Sequence, residues 1–592
     1  MIFDRFLAGL STSALATLVA FSASAQVIPA ERATEWSRAG FHVAPAEPTR
    51  FLSLLDFGGV GDGATPNNAA MVAALAAAEG EMTVISIPPG NYLFTSGIVL
   101  HDSVILRGAG ADSTTLTLSE SGFGHGLRAV GSEDTAHYWL NANASRGSAH
   151  LSMVSTSGLA VGDLIRLYRE DAELVVSSWA LGTTGQLVEI EAVQSDGLDL
   201  ASPLRAGYTV VGAAYARKLR PVRYCGIECL KIVRTDATID QYSNIFFQRA
   251  SHCWVRGVES ANCNFSHIDL FTSANCEVSG CYLHDAQDYG SGGKAYGVMA
   301  YFTAGENYIY DNIFKHLRHS MIVETGANGN VFAYNRSVDP FWTDVALPAN
   351  SAGEIVCHGD HPYLNLFEGN VLQNIVIDDS HGRNGPFNTL FRNRASLWGI
   401  LMNNAPASDS MNIVGNDVTG LFVINGVGHL SFGNIANGTV TPAGTGTLAD
   451  ASYHLSELPT FLQSIGALPQ TGPNSNAPGT IPAALRYASG SDFTVCAYPE
   501  INTGAHHGFG DYSGWRISPV PFSDHLRISG PSAEVASVVL RNALGSEVSR
   551  YVLRSNTSVI DLPVPTDLPA GLYIVSITEA SGHSTSVRAI KE

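Results

Sequence analysis

The sequence predicts an all-β chain built around a parallel β-helix. Three observations predict it: a unit of 23 residues recurs, its residues alternate β-branched and aromatic without a helical period, and asparagines return at one place in the unit. The segments SHCWVRG, ANCEVSG, ENYIYDN, GNVFAYN, LNLFEGN, FNTLFRN and MNIVGN align on their last residues, Gly257, Gly280, Asn312, Asn335, Asn370, Asn393 and Asn416. The steps are 23, 32, 23, 35, 23 and 23, a constant unit interrupted by extra lengths of 9 and 12. Such a unit supplies three short strands per coil, and stacked coils lie about 4.8 Å apart. The recurring asparagines fit a turn where an inward amide bonds the neighbouring coils, and Asn307, Asn330, Asn365 and Asn388 form a second such set.

The elements follow in order. MIFDRFLAGLSTSALATLVAFSASAQ is an apolar run closing on Ala23-Ser24-Ala25, the small-residue pattern of a secretory cleavage site, so residues 1–25 are expected to be a signal peptide. No later segment reads as transmembrane, and the product is expected to be secreted or held at the cell surface. Residues 26–136 hold a cap and the first coils: an alanine-rich stretch after Asn67-Asn68 reads as a short helix covering the open first coil. Residues 137–220 break the rhythm; LAVGDLIRLYRE and GQLVEIEAVQSDGLDLASPL alternate like antiparallel strands, predicting a small β insertion. Regular coils with site loops occupy 221–435, and 436–517 is a loop-rich exit and linker. Residues 518–592 are short alternating strands, as in an immunoglobulin-like β-sandwich.

Two resemblances follow from particular motifs. Asp56-Phe57-Gly58, Gly61-Asp62-Gly63, Pro88-Pro89-Gly90-Asn91-Tyr92 and Leu106-Arg107-Gly108 resemble the opening module of the pectate-lyase-like superfamily, which implies a right-handed β-helix. That superfamily holds lyases, hydrolases and phage tailspikes, so the fold does not choose the reaction. The chain lacks the Asn-Thr-Asp, Gly-Asp-Asp and Arg-Ile-Lys set of the polygalacturonase branch, and its Gly124-His125-Gly126 comes early. Pro521-Phe522-Ser523 and Leu568-Pro569-Ala570-Gly571-Leu572-Tyr573 resemble the C-terminal sorting domain of type IX secretion cargo, implying that secretion machinery as a partner.

With 53 acidic against 33 basic residues the formal charge is −20, which argues against nucleic acid as a partner. A local cationic cleft for a polyanionic glycan remains compatible with it. Of eight cysteines, Cys229, Cys253 and Cys276 recur at 24 and 23 residues, suggesting a buried column before bridges.

Six of the 19 histidines fall between 284 and 381, where both insertions, 281–306 and 336–357, also lie. Counted from the anchor, His284, His316, Asp339 and Asn374 share one offset, and His358 and His381 another, with His319 and Trp342 between them. The strips describe a groove walled by Asp288, Tyr289, Lys294, Tyr296 and Trp342. CHGDHPYLNLFEGN and SHGRNGPFNTLFRN repeat His-Gly and place Asp360 beside Arg383 one coil away, either as a surface ion pair or as a holder of a sugar carboxylate.

Two enzymatic readings arise. In a lyase on a uronate-containing polysaccharide, His381 or His319 is the base, Arg383 the neutraliser, and Tyr289 or His358 the acid. Asp360, Glu324, Asp378 and Asp379 orient these or hold calcium. In a glycoside hydrolase Glu324, Asp360 and Asp379 are the reactive acids; of Asp378-Asp379 only one enters the groove, because adjacent strand residues face opposite sides. A third reading is a glycan-binding or adhesive protein that stacks sugars on Trp342 and Tyr289 without turnover.

Overall fold

The computed structural model describes residues 26–41, 45–119, 124–344, 347–475, 479–497, 516–518, 524–542, 547–565, 568–569, 571–579 and 584–591. The leader at 1–25 and the Pro521-Phe522-Ser523 motif lie outside them. The chain divides into two compact units, Met1–Glu500 and Ile501–Glu592.

The first unit is a parallel β-helix. One face is a twelve-stranded sheet whose strands succeed one another in chain order, from Arg50–Ser53 to Leu430–Phe432, every pairing parallel. Two further strand columns complete each coil; Leu283, Phe314 and Ser337 are partners on one, and Val298, Met321, Ile355 and Ile375 follow one another on the other. Strands buried on both sides dispense with strict alternation, and one apolar column runs inside from Leu54 to Val418. The helix Asn68–Ala77 closes its first end by burying Ala70, Met71, Ala74 and Leu75.

Both asparagine sets are ladders. Nδ2 of Asn312, Asn335, Asn370, Asn393 and Asn416 each donates to Oδ1 of the next rung, at 2.9–3.1 Å, and the last partner is Asn434. Asn307, Asn330, Asn365 and Asn388 repeat the pattern. The residue before each rung of the first ladder takes a left-handed conformation, which glycine adopts freely at Gly369 and Gly415.

Here the hand alignment slips by one. Val278 pairs with Ile309, so the first long step is 31 and Cys281, not Gly280, stands under Asn312. His284 accordingly stacks on Lys315 rather than His316. The cysteine column is Cys225, Cys253 and Cys276; Cys229 stands one turn position further on, beside Gly257.

Residues 132–220 form the antiparallel insertion, with strands at Leu164–Tyr168, Gln186–Val193 and Tyr215–Arg220 at its centre. The second unit is one five-stranded antiparallel sheet, with long strands His525–Asn542 and Glu547–Pro563 and a core of its own. The two long strands are continuous through register shifts at Ser529/Ala533 and Val535/Ser537, so the strands expected as separate short pieces are joined. Among the described residues no helix is long and apolar enough to cross a membrane.

Candidate functional site

The site is an outer strip of one strand column. Side chains two apart share a face of a strand, and four successive coils place an apolar residue and then a polar one on that face: Met299 and Tyr301, Ile322 and Glu324, Val356 and His358, Val376 and Asp378. The apolar members pack together under Phe265 and Tyr296. Tyr301, Glu324 and His358 line a cleft of about 580 Å³, and Asp378 stands behind His358.

His358 donates Nδ1–H to Asp378 Oδ2 at 2.6 Å, leaving Nε2 for the cleft. His381 follows in the next turn, its Nε2 3.7 Å from Glu324 Oε1 and its Nδ1 3.2 Å from Ser177 Oγ. Glu324 is 7% exposed and His381 33%. Burial pushes the Glu324 carboxyl up to about 7, opposed by His358 and reinforced by Asp360 and Asp378. Burial also opposes charge on His358, but Asp378 outweighs it and the imidazole sits above its ordinary value. Burial and the neighbouring His358 draw His381 below its own. His319 lies behind, its Nδ1 on the Gly353 carbonyl at 2.8 Å, and burial lowers it to about 3.

The walls come from loops. Arg318 lies 4.4 Å from the Trp342 ring and 5.8 Å from that of Tyr296, and donates to the Gly290 and Gly292 carbonyls. Opposite, the antiparallel insertion delivers Trp179, half exposed, edge-on to His381 at 5.4 Å and 5.9 Å from Phe302. That loop is tied down by Asp360, whose Oδ1 accepts the Val176 and Ser177 amides at 2.8 and 3.1 Å, and by Thr303 and Tyr363, which donate to the Thr183 and Gly185 carbonyls.

Of the predicted residues, Glu324, His358 and His381 meet here, with His319 behind them. Asp360 is a buried anchor and does not pair with Arg383, because its carboxylate turns to the insertion loop. Arg383 is exposed and lies 3.3 Å from Asp409. Asp379 faces away, accepting from Asn403 and the Ala405 amide; Asp378 is the member that turns to the site, through its bond to His358. Tyr289 accepts the Ala286 amide and packs on His316 and Phe341, Lys294 pairs with Asp288, and Trp342 backs Arg318 rather than facing the cleft. Arg318 and Tyr301 join the cleft with only their positions as a signal in the sequence, Arg318 beside His319 and Tyr301 at the start of the strip. Trp179 and Ser177 arrive from an insertion that carries no period.

Glu324, His358 and His381 also form, among the described residues, the group whose ligand atoms all lie within 4.8 Å of one another. Two nitrogens and one carboxylate could hold an ion such as zinc; they do not make the all-oxygen cage that calcium takes.

Residues 51–196 match the family model described as Rhamnogalacturonase A/epimerase, pectate lyase-like. That match spans about a quarter of the chain, the first coils and part of the antiparallel insertion of the parallel β-helix. Solved structures similar to this β-helix include the tailspike protein gp49 from Pseudomonas phage LKA1, at 17% identity over 62% of this chain and 64% of that one, with a TM-score of 0.47. The Azotobacter vinelandii mannuronan C-5 epimerase AlgE6 A-module is 14% identical over 65% of this chain and 94% of that one, TM-score 0.35. The catalytic domain of a GH87 alpha-1,3-glucanase is 10% identical over 67% and 59%, TM-score 0.36. No curated protein matches the sequence of this β-helix.

Proposed function

We propose that the cleft is the active site of a secreted polysaccharide lyase acting by β-elimination on a uronate-containing glycan. The observation that carries the reading is the commitment of the carboxylates. Asp378 is bonded to His358 and Asp360 to two backbone amides, and among the described residues Glu324 is the one carboxylate that lines the cleft, beside the His381 imidazole and on the same cleft as Arg318. A hydrolase needs a second working carboxyl; an elimination needs one acid, one base and a cation for the sugar carboxylate.

Arg318 holds the uronate carboxylate and draws charge towards it as the enolate develops. With Nδ1–H turned to Ser177 Oγ, His381 Nε2 carries a lone pair and takes the proton from C5. The electron pair of the broken C5–H bond becomes the C4–C5 double bond, the C4–O bond breaks, and protonated Glu324 gives its proton to the leaving oxygen. His358, fixed by Asp378, sets the charge felt by both groups. Trp179 and Phe302 offer apolar faces to the sugar rings.

The test incubates the chain with uronic and neutral polysaccharides, recording the ultraviolet absorbance of unsaturated uronide and new reducing ends together. Both rising on a uronic substrate supports the lyase. Ends without absorbance move the reading to hydrolysis, and silence in both channels with measurable glycan binding sinks turnover in favour of an adhesive role. Export and a sorting role for residues 518–592 belong to the same proposal; deleting those residues in the native host should leave the protein inside the cell envelope, and unchanged export would remove that part.

A further inference from the structure

The segment that follows the last coil runs back along one edge of the β-helix, and the left-handed column beside the asparagine ladder grips it. At Arg392 (φ 53°) the guanidinium donates to the carbonyls of Leu448, Asp450, Thr471 and Pro473. At Tyr334 (φ 56°) the hydroxyl joins Glu368, whose carboxylate also takes Ser452 and the Tyr453 amide. At Asp311 (φ 55°) the carboxylate accepts Arg486 at 2.8 and 2.9 Å. Wherever a side chain other than glycine bears the strain of this position, it holds the returning segment.

In the next two coils down, Gly280 and Gly257 leave room for backbone. Val495 N donates to the Gly280 carbonyl at 2.8 Å, and a Cβ on Gly257 would stand 2.7 Å from Cys496 Cα. The next occupant of the column is Cys229, φ 56°, its amide bonded to the Arg256 carbonyl. Its thiol meets that of Cys496 side chain to side chain. The other six cysteines are fully buried in the coils, whereas these two are half-buried.

We propose that Cys229 and Cys496 form a disulfide that fastens the end of the returning segment to the β-helix, four residues before the boundary at Glu500. The oxidant is a disulfide, that of glutathione or of a dithiol–disulfide oxidoreductase. The Cys496 thiolate attacks it and releases one thiol, giving a mixed disulfide; the Cys229 thiolate then attacks the Cys496 sulfur and releases the second. Two electrons pass to the oxidant, and the two protons leave on the released thiols. The cross-link closes a loop spanning nearly the whole regular β-helix, so it restricts the unfolded chain strongly.

The experiment equilibrates the full chain with oxidised glutathione, denatures it without reductant, alkylates it and maps it by mass spectrometry. Six cysteines should be alkylated and the Cys229 and Cys496 peptides should be joined; reduction should free both. Alkylation of all eight before reduction, or a glutathione adduct resting on either residue, overturns the bond. A second measurement follows chymotryptic cleavage around Tyr487 and Phe493. Reduction should speed it several-fold, and Cys496→Ser should cleave at the reduced rate in both states. If reduction leaves the cleavage rate unchanged, the bond does not fasten the segment.

Discussion

Glu324 is the group on which the proposed chemistry turns, and its environment gives the size of the effect. With its carboxyl near 7, about half is protonated at pH 7 and about 1% at pH 9, so an obligatory acid loses roughly 50-fold in kcat/KM across those two units. His381, drawn below its ordinary value, must be neutral to accept a proton, so the rate rises with pH on the acid side through the lowered value. The profile is therefore a narrow bell near neutrality, and its two apparent values belong to the coupled cluster. Glu324→Gln keeps the shape but has no acidic proton to give. Its loss should be about 10²- to 10⁴-fold in kcat, about 3–5 kcal/mol of barrier, with little change in KM. The alkaline limb should vanish from what activity remains. Initial rates from uronide absorbance between pH 5 and 9, on both proteins, check this. A variant within a few-fold of the parent, or one that keeps the alkaline limb, would refute Glu324 as the acid.

Further expectations concern neighbouring groups. Arg318→Gln should raise KM for an anionic glycan more than it lowers kcat, and equal KM values would exclude it as carboxylate holder. Dialysis against a chelator should leave the rate unchanged, since proton transfer here uses side chains; loss restored by zinc would instead make Glu324, His358 and His381 ligands. Asn370→Ala strips four buried hydrogen bonds, to Phe332 O, Asn393, and the amide and side chain of Asn335, and should cost about 3–5 kcal/mol in denaturant unfolding. Asp269 is raised by burial to about 8, above its unfolded value, although Tyr301 and Ser243 bond it. Its contribution is complete below about pH 4 and lost as pH rises towards 8, so Asp269→Asn should flatten that part of the stability–pH curve; an unchanged slope would show the carboxyl is ionised in the fold.

How much could be read in advance follows from what stacking makes periodic. The asparagines at 312, 335, 370, 393 and 416 were visible because an amide that bonds its own copy must recur at each coil. The polar strip was equally present in the letters, as Ile322-Val323-Glu324, Val356-Cys357-His358 and Val376-Ile377-Asp378, but choosing between Asp378 and Asp379 required the register of the strand. Asp360 and Arg383 nearly share a turn in sequence, yet a buried carboxylate goes where backbone amides await it, here to a loop some 180 residues away.

The sequence by itself determined the β-helix, its cap, its ladders and the interval in which polar chemistry gathers, because these depend on repetition between neighbouring coils. The tertiary structure alone decided that Trp179 and Ser177 face His381, that Arg318 rather than Arg383 serves the cleft, and that Cys229 meets Cys496. These contacts join segments of unrelated period, and nothing in a repeat encodes where an insertion or a returning segment will land. Their physical cause is the burial and hydrogen-bonding of those segments against a scaffold already built.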